Sequence, residues 1–326
     1  MKLISLAILA ASLSVRSGAA ANLELVSVKK IWDKGAHNAF TDLVRFKNRW
    51  YCTFRESEAH VGGDGIIRVL RSKDGETWES AAAIAEAGVD LRDPKFSITP
   101  DNRLMIVAGG SVYGGTKALK SRRPRVMFSK DGLHWTAPEK VLTDGEWLWR
   151  VTWHGGKAYG VSYNIDKTGW QIALFESPDG LKWSLTAELP VSGRPNETTV
   201  RFLANGDAMM LVRREAEDKQ AWIGTAKTPY RDWKFTPAGV QVGGPNFIQL
   251  PDGSIVGGGR DYRGSPKNVT AIGMLTPAAF APSLTLPSAG DNSYPGFVWY
   301  KDRLWASYYS SHEGKTSVYL ARIARR

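Results

Sequence analysis

Short apolar runs in the chain are separated by tight polar turns, and this alternation predicts β-hairpins. Six segments share one design, in which a polar turn is followed by a short apolar run. They are FKNRWYCTFRES (46–57), TPDNRLMIVAGG (99–110), WHGGKAYGVSYN (153–164), LANGDAMMLVRR (203–214), LPDGSIVGGGRD (250–261) and WYKDRLWASYYS (299–310). Asn-Gly and Asp-Gly turns between apolar runs are strong hairpin signals. The turns lie at Asn48, Asp101, Gly155, Asn205, Asp252 and Asp302, so the hairpin recurs every 47 to 54 residues.

A second repeat, with the pattern S-x-D-G-x-x-W, is interleaved with the first. It occurs at 72–78, 129–135 and 177–183, and TPYRDW (228–233) looks like a worn copy. The pattern predicts a tight turn in which the Asp side chain accepts backbone N–H bonds and Gly supplies a positive φ. The Trp side chain is expected to pack between neighbouring sheets.

Six units of about 50 residues, each with several short strands, predict an all-β fold, the six-bladed β-propeller of four-stranded antiparallel blades. The units fill residues 22–326 and leave no room for a second domain. The last strand, TSVYLARI (316–323), is expected to pair with LELVSVKKIW (23–32) and close the ring. A β-sandwich, the alternative all-β solution, does not predict six equal units.

The first 21 residues, MKLISLAILAASLSVRSGAAA, have a basic start, an apolar run and a small-residue end. This pattern predicts a signal peptide (1–21) cleaved near Ala21, and hence a secreted or periplasmic bacterial protein. The alternative is a retained membrane anchor, but nothing like a stop-transfer segment follows. The single cysteine, Cys52, allows no internal disulfide, which suits a protein exported by a bacterium.

The formal net charge of +11 indicates an anionic ligand, such as an acidic sugar, a polysaccharide or nucleic acid. The densest basic run, KSRRPR (120–125), has no nucleic-acid recognition motif beside it, so no nucleic-acid partner is expected. No membrane partner is expected after signal cleavage, and the protein is expected to be a monomer.

The S-x-D-G-x-x-W segments resemble the Asp-box, or BNR repeat, of the sialidase (neuraminidase) superfamily. The resemblance covers essentially the whole chain after residue 21 and implies a six-bladed propeller. It is specific for architecture and weak for activity, because Asp-boxes lie far from the catalytic face and also occur in propellers that are not sialidases.

In a propeller blade the innermost strand begins, and the second strand ends, on the same face. Polar residues at both ends of the six hairpins should therefore converge on one mouth of the central channel, where ligands tend to bind. The expected ring has Asp42, Asp93, Arg150, Glu197, Asn246 and Tyr294 at the starts of the inner strands. Arg55, Arg213 and Arg260 are among the residues at the ends of the second strands. The alternative is a rim of solvated salt bridges without function.

The resemblance to sialidases assigns roles to several of these residues. Tyr294 in NSYPGF is similar to the nucleophile, and Glu197 in NETTVRF to the glutamate that activates it. Arg213 and Arg260 are similar to two of the three arginines that bind the substrate carboxylate, for which the planar guanidinium fork is suited. Asp64 in VGGDGIIRVLRS is similar to the acid/base aspartate.

The first arginine of that triad is missing. Its place reads HNAFTDLVRF, with Asp42 and no arginine before it. Arg55, Arg92 and Arg150 are candidates to replace it as substrate-binding residues. Asp93, in DLRDPKF, competes with Asp64 as the acid/base.

The expected function is that of an exo-α-sialidase-like glycoside hydrolase, which cleaves a terminal acidic sugar with retention and without a cofactor or metal. The expected partner is thus an acidic glycan or sialoglycoconjugate. A non-catalytic glycan-binding propeller is one alternative. An enzyme that cuts another acidic polysaccharide internally, in an open groove lined by Trp147 and Trp149, is another. The histidines are scattered without metal-ligand spacing, so no metal site is predicted.

Overall fold

The computed structural model describes residues 22–114, 118–165, 170–264 and 268–326. The predicted signal peptide, residues 1–21, lies outside these ranges and stays a prediction. No helix in the described ranges is long and apolar enough to cross a membrane.

The described chain forms six sheets of four antiparallel strands, which are the blades of a six-bladed β-propeller. The predicted fold class is therefore confirmed. The first three blades comprise β2 (His37–Phe46), β3 (Arg49–Ser57), β4 (Ile66–Ser72) and β5 (Glu79–Ile84); β6 (Asp90–Ile98), β7 (Leu104–Tyr113), β8 (Leu119–Ser129) and β9 (Glu139–Lys140); and β10 (Glu146–His154), β11 (Lys157–Asn164), β12 (Gln171–Ser177) and β13 (Ser184–Leu189).

The next two blades comprise β14 (Pro195–Phe202), β15 (Ala208–Arg214), β16 (Trp222–Ala226) and β17 (Lys234–Pro237); and β18 (Val242–Gln249), β19 (Ile255–Asp261), β20 (Val269–Leu275) and β21 (Phe280–Thr285). The sixth blade combines both ends of the described chain, as predicted. Its strands are β22 (Asn292–Tyr300), β23 (Arg303–Ser310), β24 (Ser317–Arg325) and β1 (Leu23–Trp32). β1 pairs with β24, from Leu23 opposite Arg325 to Trp32 opposite Val318, so the ring is closed by backbone hydrogen bonds.

The three S-x-D-G-x-x-W segments form the same turn at the outer side of successive blades. In the first, Asp74 Oδ1 accepts the backbone N–H groups of Glu76 and Thr77, at 2.7 and 3.0 Å. Gly75 has a φ of 83°, and Trp78 Nε1 donates to its carbonyl at 3.0 Å. The worn copy keeps only the last bond, from Trp233 Nε1 to the Tyr230 carbonyl.

Each of these turns packs on the preceding blade, and this contact joins neighbouring sheets. Gly75 lies against Trp305 of the sixth blade, Gly132 against Tyr51 of the first, and Gly180 against Phe128 of the second. Buried apolar clusters fill the wedges between blades. One of them combines Ile67 and Val69 of β4 with Leu104 and Ile106 of β7.

The six innermost strands, β2, β6, β10, β14, β18 and β22, surround the central channel, and all six carry a β-bulge at equivalent positions. In each bulge two residues face a single residue of the second strand. The pairs are Phe40–Thr41, Asp93–Pro94, Trp149–Arg150, Asn196–Glu197, Gly244–Pro245 and Tyr294–Pro295. Bulges break the in-and-out alternation of side chains and re-aim them, and they are frequent beside active sites.

We predict that Gly132→Ala destabilises the fold more than the matched control Gly253→Ala. Both glycines have positive φ, at 76° and 86°, so both substitutions strain the backbone. A Cβ at Gly132 would lie 2.3 Å from the Tyr51 ring, whereas one at Gly253 meets nothing within 4 Å. The difference in the free energy of unfolding should be about 1–3 kcal/mol, as for other overpacked sites. Equal values in denaturant titrations would contradict the blade-to-blade role of this turn.

Candidate active site

The bulges place side chains from different blades against each other at the mouth, the end of the channel where the inner strands begin. Phe40, Trp149 and Tyr294 share one buried aromatic cluster with Tyr309. Phe40, Asp93 and Tyr294 have positive φ values of 67°, 51° and 53°. A bulky residue rarely adopts this conformation, which costs on the order of 1–3 kcal/mol, and such outliers concentrate at functional sites.

Tyr294 and Glu197 form the centre of the site. The Tyr294 hydroxyl donates to Glu197 Oε1 at 2.6 Å, and both residues are buried. Glu197 Oε2 accepts two further bonds, from Arg213 Nη1 at 2.7 Å and from the Gly244 backbone N–H at 2.8 Å. The sequence separates Tyr294 and Glu197 by 97 positions, and the two bulges bring them together.

The electrostatics fix the protonation of this pair. Burial alone would raise the pKa of Glu197, but Arg213 and the hydrogen bonds from Tyr294 and Gly244 hold that pKa below its ordinary value. Burial and the charge of Glu197 raise the pKa of Tyr294 well above its ordinary value. At neutral pH the site therefore holds a neutral phenol against an ionised carboxylate that can take its proton.

Two arginines flank the tyrosine, and both are engaged with acids. Arg213 bonds Glu215 through Nε at 2.7 Å and Nη2 at 2.6 Å, besides its bond to Glu197. Arg260 Nη2 bonds Tyr309 and Asp291, at 3.0 and 3.2 Å. Its Nη1 has no partner among the described residues. The Arg260 guanidinium lies 5.6 Å from the centroid of the Tyr294 ring.

Aromatic rings and one buried amine surround the ring of Tyr294 and form the floor of the site. The rings of Phe40 and Trp149 lie 5.2 and 5.6 Å from that of Tyr294. Lys95 Nζ lies 5.0 Å from the Trp149 ring and donates to the carbonyls of Phe40 and Thr41. Burial and the charge of Arg150 lower the pKa of Lys95 to about 8.

The two aspartates predicted as acid/base lie in different environments. Asp93 is buried in the floor, and no described residue forms a hydrogen bond or ion pair with its carboxylate. Burial raises its pKa, although Arg92 and Lys95 oppose the shift. Asp64 is exposed on the rim, where its Oδ2 accepts the backbone N–H of Gly88 at 3.0 Å.

The candidates for the missing arginine support the structure around the site. Arg55 is fully buried and binds Asp90 through two bonds of 2.6 and 2.9 Å. It also donates to the Ala59 carbonyl at 2.7 Å and so fixes the loop of residues 58–65. Arg92 binds the same Asp90 at 3.3 Å and the His60 carbonyl at 2.7 Å.

Asp42, Arg150 and Asn246 lie deeper in the channel than predicted. Asp42 and Arg150 form a buried ion pair of 2.7 Å, and Asn246 bonds Arg201 at 2.9 Å. A separate cavity of about 280 Å³ is lined by Asp42, Arg150 and Arg201 and does not include Tyr294. The reason is that the inner strands begin two to five residues earlier than the predicted starts. These three residues therefore lie further along their strands, past the mouth and inside the channel.

The tryptophans proposed as the wall of an open groove are core residues of the floor. Trp147 and Trp149 are 5% and 1% exposed. A groove of about 760 Å³ does lie nearby, along the third blade and the segment that follows it, and its lining includes Glu146, Ser162 and Ser192.

A cluster of polar residues on the rim was not predicted. His37 Nε2 and His60 Nδ1 both bond Asp291 Oδ2, at 2.9 and 2.7 Å. One nitrogen of His37, one nitrogen of His60 and one carboxylate oxygen of Asp291 lie within 4.8 Å of one another, a spacing at which they could bind a metal ion. The expectation of scattered histidines is therefore wrong for this pair. The hydrogen bonds account for the cluster, and Arg260 already supplies a cation to Asp291. No sequence motif joins these residues, because the ring closure brings Asp291 beside His37.

No protein-family model and no curated protein matches the chain. Solved structures match its fold. A protein of unknown function from Dyadobacter fermentans has a TM-score of 0.84 at 18% identity, covering 93% of this chain and 99% of that one. An α-L-arabinofuranosidase of Fusarium graminearum with an iminosugar inhibitor has a TM-score of 0.68 at 15% identity, covering 92% and 98%. A Trypanosoma rangeli sialidase with the inhibitor DANA has 0.69 at 13% identity, covering 88% of this chain and 55% of that chain.

These similarities show that the chain shares its propeller with glycosidases of different specificity. A fold does not set the substrate or the chemistry, which depend on the side chains of the site.

We predict that Arg55→Met lowers the free energy of unfolding by about 3–5 kcal/mol, because it leaves the carboxylate of Asp90 buried without its main partner. The matched control is Arg71→Met, which breaks a surface pair with Glu79 whose side chains are 29% and 63% exposed. That change should cost about 1 kcal/mol or less. Similar costs for both variants in urea titrations would argue against a structural role for Arg55.

Proposed function

We propose that the protein is a retaining glycoside hydrolase that removes a terminal acidic sugar and uses Tyr294 as its nucleophile. One observation carries this proposal: the hydrogen bond of 2.6 Å between the Tyr294 hydroxyl and Glu197 at the mouth. A nucleophile bonded to a base that is itself oriented by a third group is the usual arrangement for covalent catalysis. Here Arg213 and the Gly244 N–H orient Glu197.

The choice of a phenol favours a sugar whose anomeric carbon carries a carboxylate. An anionic nucleophile would be repelled by that carboxylate, whereas a neutral phenol can lose its proton to Glu197 as it attacks. Nη1 of Arg260, which no other described residue binds, offers a donor for the substrate carboxylate. The resemblance to sialidases and the positive net charge of the chain also support an acidic sugar as the substrate.

In the first step Tyr294 attacks the anomeric carbon as the bond from that carbon to the glycosidic oxygen breaks. The phenolic proton passes to Glu197, and the leaving oxygen takes a proton from a general acid. In the second step water displaces the tyrosine and gives one proton to the group that acted as the acid, now a base. Tyr294 regains its proton from Glu197, and two displacements retain the configuration at the anomeric carbon. Asp93, buried beside this pair and without a hydrogen-bond partner among the described residues, is suited to bind a sugar hydroxyl in the floor. Export through the predicted signal peptide would bring a monomeric enzyme to extracellular or periplasmic glycans.

A neutral sugar is the second candidate substrate, and it is favoured by one observation. Phe40, packed against Tyr294, lies in HNAFTDLVRF, where the first arginine is missing, and all three side-chain nitrogens of Arg213 are already bonded to acids. A site with fewer free cations loses affinity for a carboxylate. The α-L-arabinofuranosidase with a similar fold is consistent with this alternative.

The test is turnover of 4-nitrophenyl glycosides, an α-sialoside and an α-L-arabinofuranoside, by the wild type, Tyr294→Phe and the control Tyr309→Phe. We expect the wild type to hydrolyse the sialoside and Tyr294→Phe to lose at least about 10³-fold in kcat/KM, as for loss of a nucleophile. Tyr309→Phe should lose far less. Turnover of the arabinofuranoside alone would overturn the acidic substrate, and full activity of Tyr294→Phe would overturn the nucleophile.

A further inference from the structure

The imidazole of His60 stands on the rim of the site with one nitrogen bound and the other open. Nδ1 bonds Asp291 Oδ2 at 2.7 Å, and the side chain is 49% exposed. Nε2 has no partner among the described residues. The backbone carbonyl of His60 accepts a bond of 2.7 Å from Arg92 Nη1, so the residue is fixed at both its backbone and its ring.

Asp291 is an ionised and immobile partner for this ring. Arg260 and Tyr309 bond its Oδ1, at 3.2 and 2.9 Å, while His37 shares Oδ2 at 2.9 Å. Burial opposes ionisation, but the two histidines and Arg260 hold the pKa of Asp291 far below its ordinary value. An ionised carboxylate only accepts hydrogen bonds, so His60 carries its proton on Nδ1. Its Nε2 is therefore free to take up and release a second proton.

Ring contacts connect His60 to the nucleophile through Phe40. Its imidazole meets the Phe40 ring edge to face, with centroids 5.2 Å apart, and Phe40 packs on Tyr294 at the same distance. Tyr294 lies in the buried floor, whereas His60 lies on the solvent side of the mouth. A sugar bound on Tyr294 would thus have His60 on its outward side.

The proton donor in glycoside hydrolysis has to reach the oxygen that leaves, which points away from the nucleophile and toward solvent. Asp93 is buried, with Arg92, Lys95, Glu197 and His60 as its charged neighbours, whereas the departing oxygen points toward solvent. Asp64 is on the rim, where its Oδ2 accepts the Gly88 N–H, and no hydrogen bond among the described residues joins it to Glu197 or Tyr294. We therefore propose that His60, positioned by Asp291, is the general acid and base of the hydrolysis. This inference rests on the function proposed for Tyr294.

In the first step the protonated Nε2 of His60 gives its proton to the glycosidic oxygen as the bond from that oxygen to the anomeric carbon breaks. The bond to Tyr294 forms at the same time, and the phenolic proton passes to Glu197. In the second step the neutral Nε2 removes a proton from water, whose oxygen bonds the anomeric carbon. Tyr294 leaves and regains its proton from Glu197. The net reaction is glycoside plus water to sugar plus alcohol.

The test compares His60→Asn with the matched control His37→Gln on two α-sialosides, one with a 4-nitrophenol and one with a methanol leaving group. The amide nitrogen of Asn at position 60 can replace Nδ1 in the bond to Asp291, but Asn has no counterpart of Nε2. The amide nitrogen of Gln at position 37 can replace the Nε2 of His37 in its bond to Asp291. Because a poor leaving group needs a proton, His60→Asn should lose about 10²–10⁴-fold in kcat/KM on the methyl glycoside and much less on the aryl glycoside. His37→Gln should affect both substrates equally.

Equal losses on both substrates in His60→Asn would overturn this role, as would the leaving-group pattern appearing in Asp64→Asn or Asp93→Asn instead. If Tyr294→Phe is inactive, these outcomes overturn only the role of His60, and the role of Tyr294 as the nucleophile is retained. Activity of Tyr294→Phe overturns the proposed nucleophile and with it the two-step cycle assigned to His60. A wild-type protein that hydrolyses neither glycoside overturns both proposals.

Discussion

The site depends on one backbone irregularity that all six inner strands share. A regular strand would send alternate side chains into the channel and into the wedges between blades, so no strand could turn two successive residues toward the mouth. The bulges relax this constraint, and three of them hold Phe40, Asp93 and Tyr294 at positive φ. The closed ring of sheets supplies the stability that such strain requires.

Charge pairing is the second condition for the site, because so many ionisable groups are buried together. Glu197 remains ionised in the interior since it faces Arg213, and Arg260 does the same for Asp291. Arg55 and Asp90 lie below them and tie the loop that carries His60 to the second blade. Nucleophile, base and rim are thus each positioned by a buried or partly buried ion pair, and not by exposed surface contacts.

The blades could be predicted because the turns are local. Asn-Gly and Asp-Gly turns and the S-x-D-G-x-x-W segment are encoded in a few neighbouring residues. Tyr294, Glu197, Arg213 and Arg260 were also predicted to meet, and they do. Asp42, Arg150 and Asn246 were misplaced because a bulge leaves no sequence signature, so strand starts counted from the turns were late. His60 and Asp291 lie in different blades, and their contact depends on ring closure, which no short motif encodes.

The central claim is that Tyr294 forms a covalent bond with the sugar. A sialosyl fluoride with a second fluorine beside the anomeric carbon slows both steps, because fluorine destabilises the oxocarbenium-like transition state, while the fluoride leaving group keeps the first step accessible. The protein should then gain the mass of one fluorosialosyl group, and peptide mapping should place it on Tyr294. An adduct on Glu197, or an unmodified protein that still hydrolyses sialosides, would contradict this account.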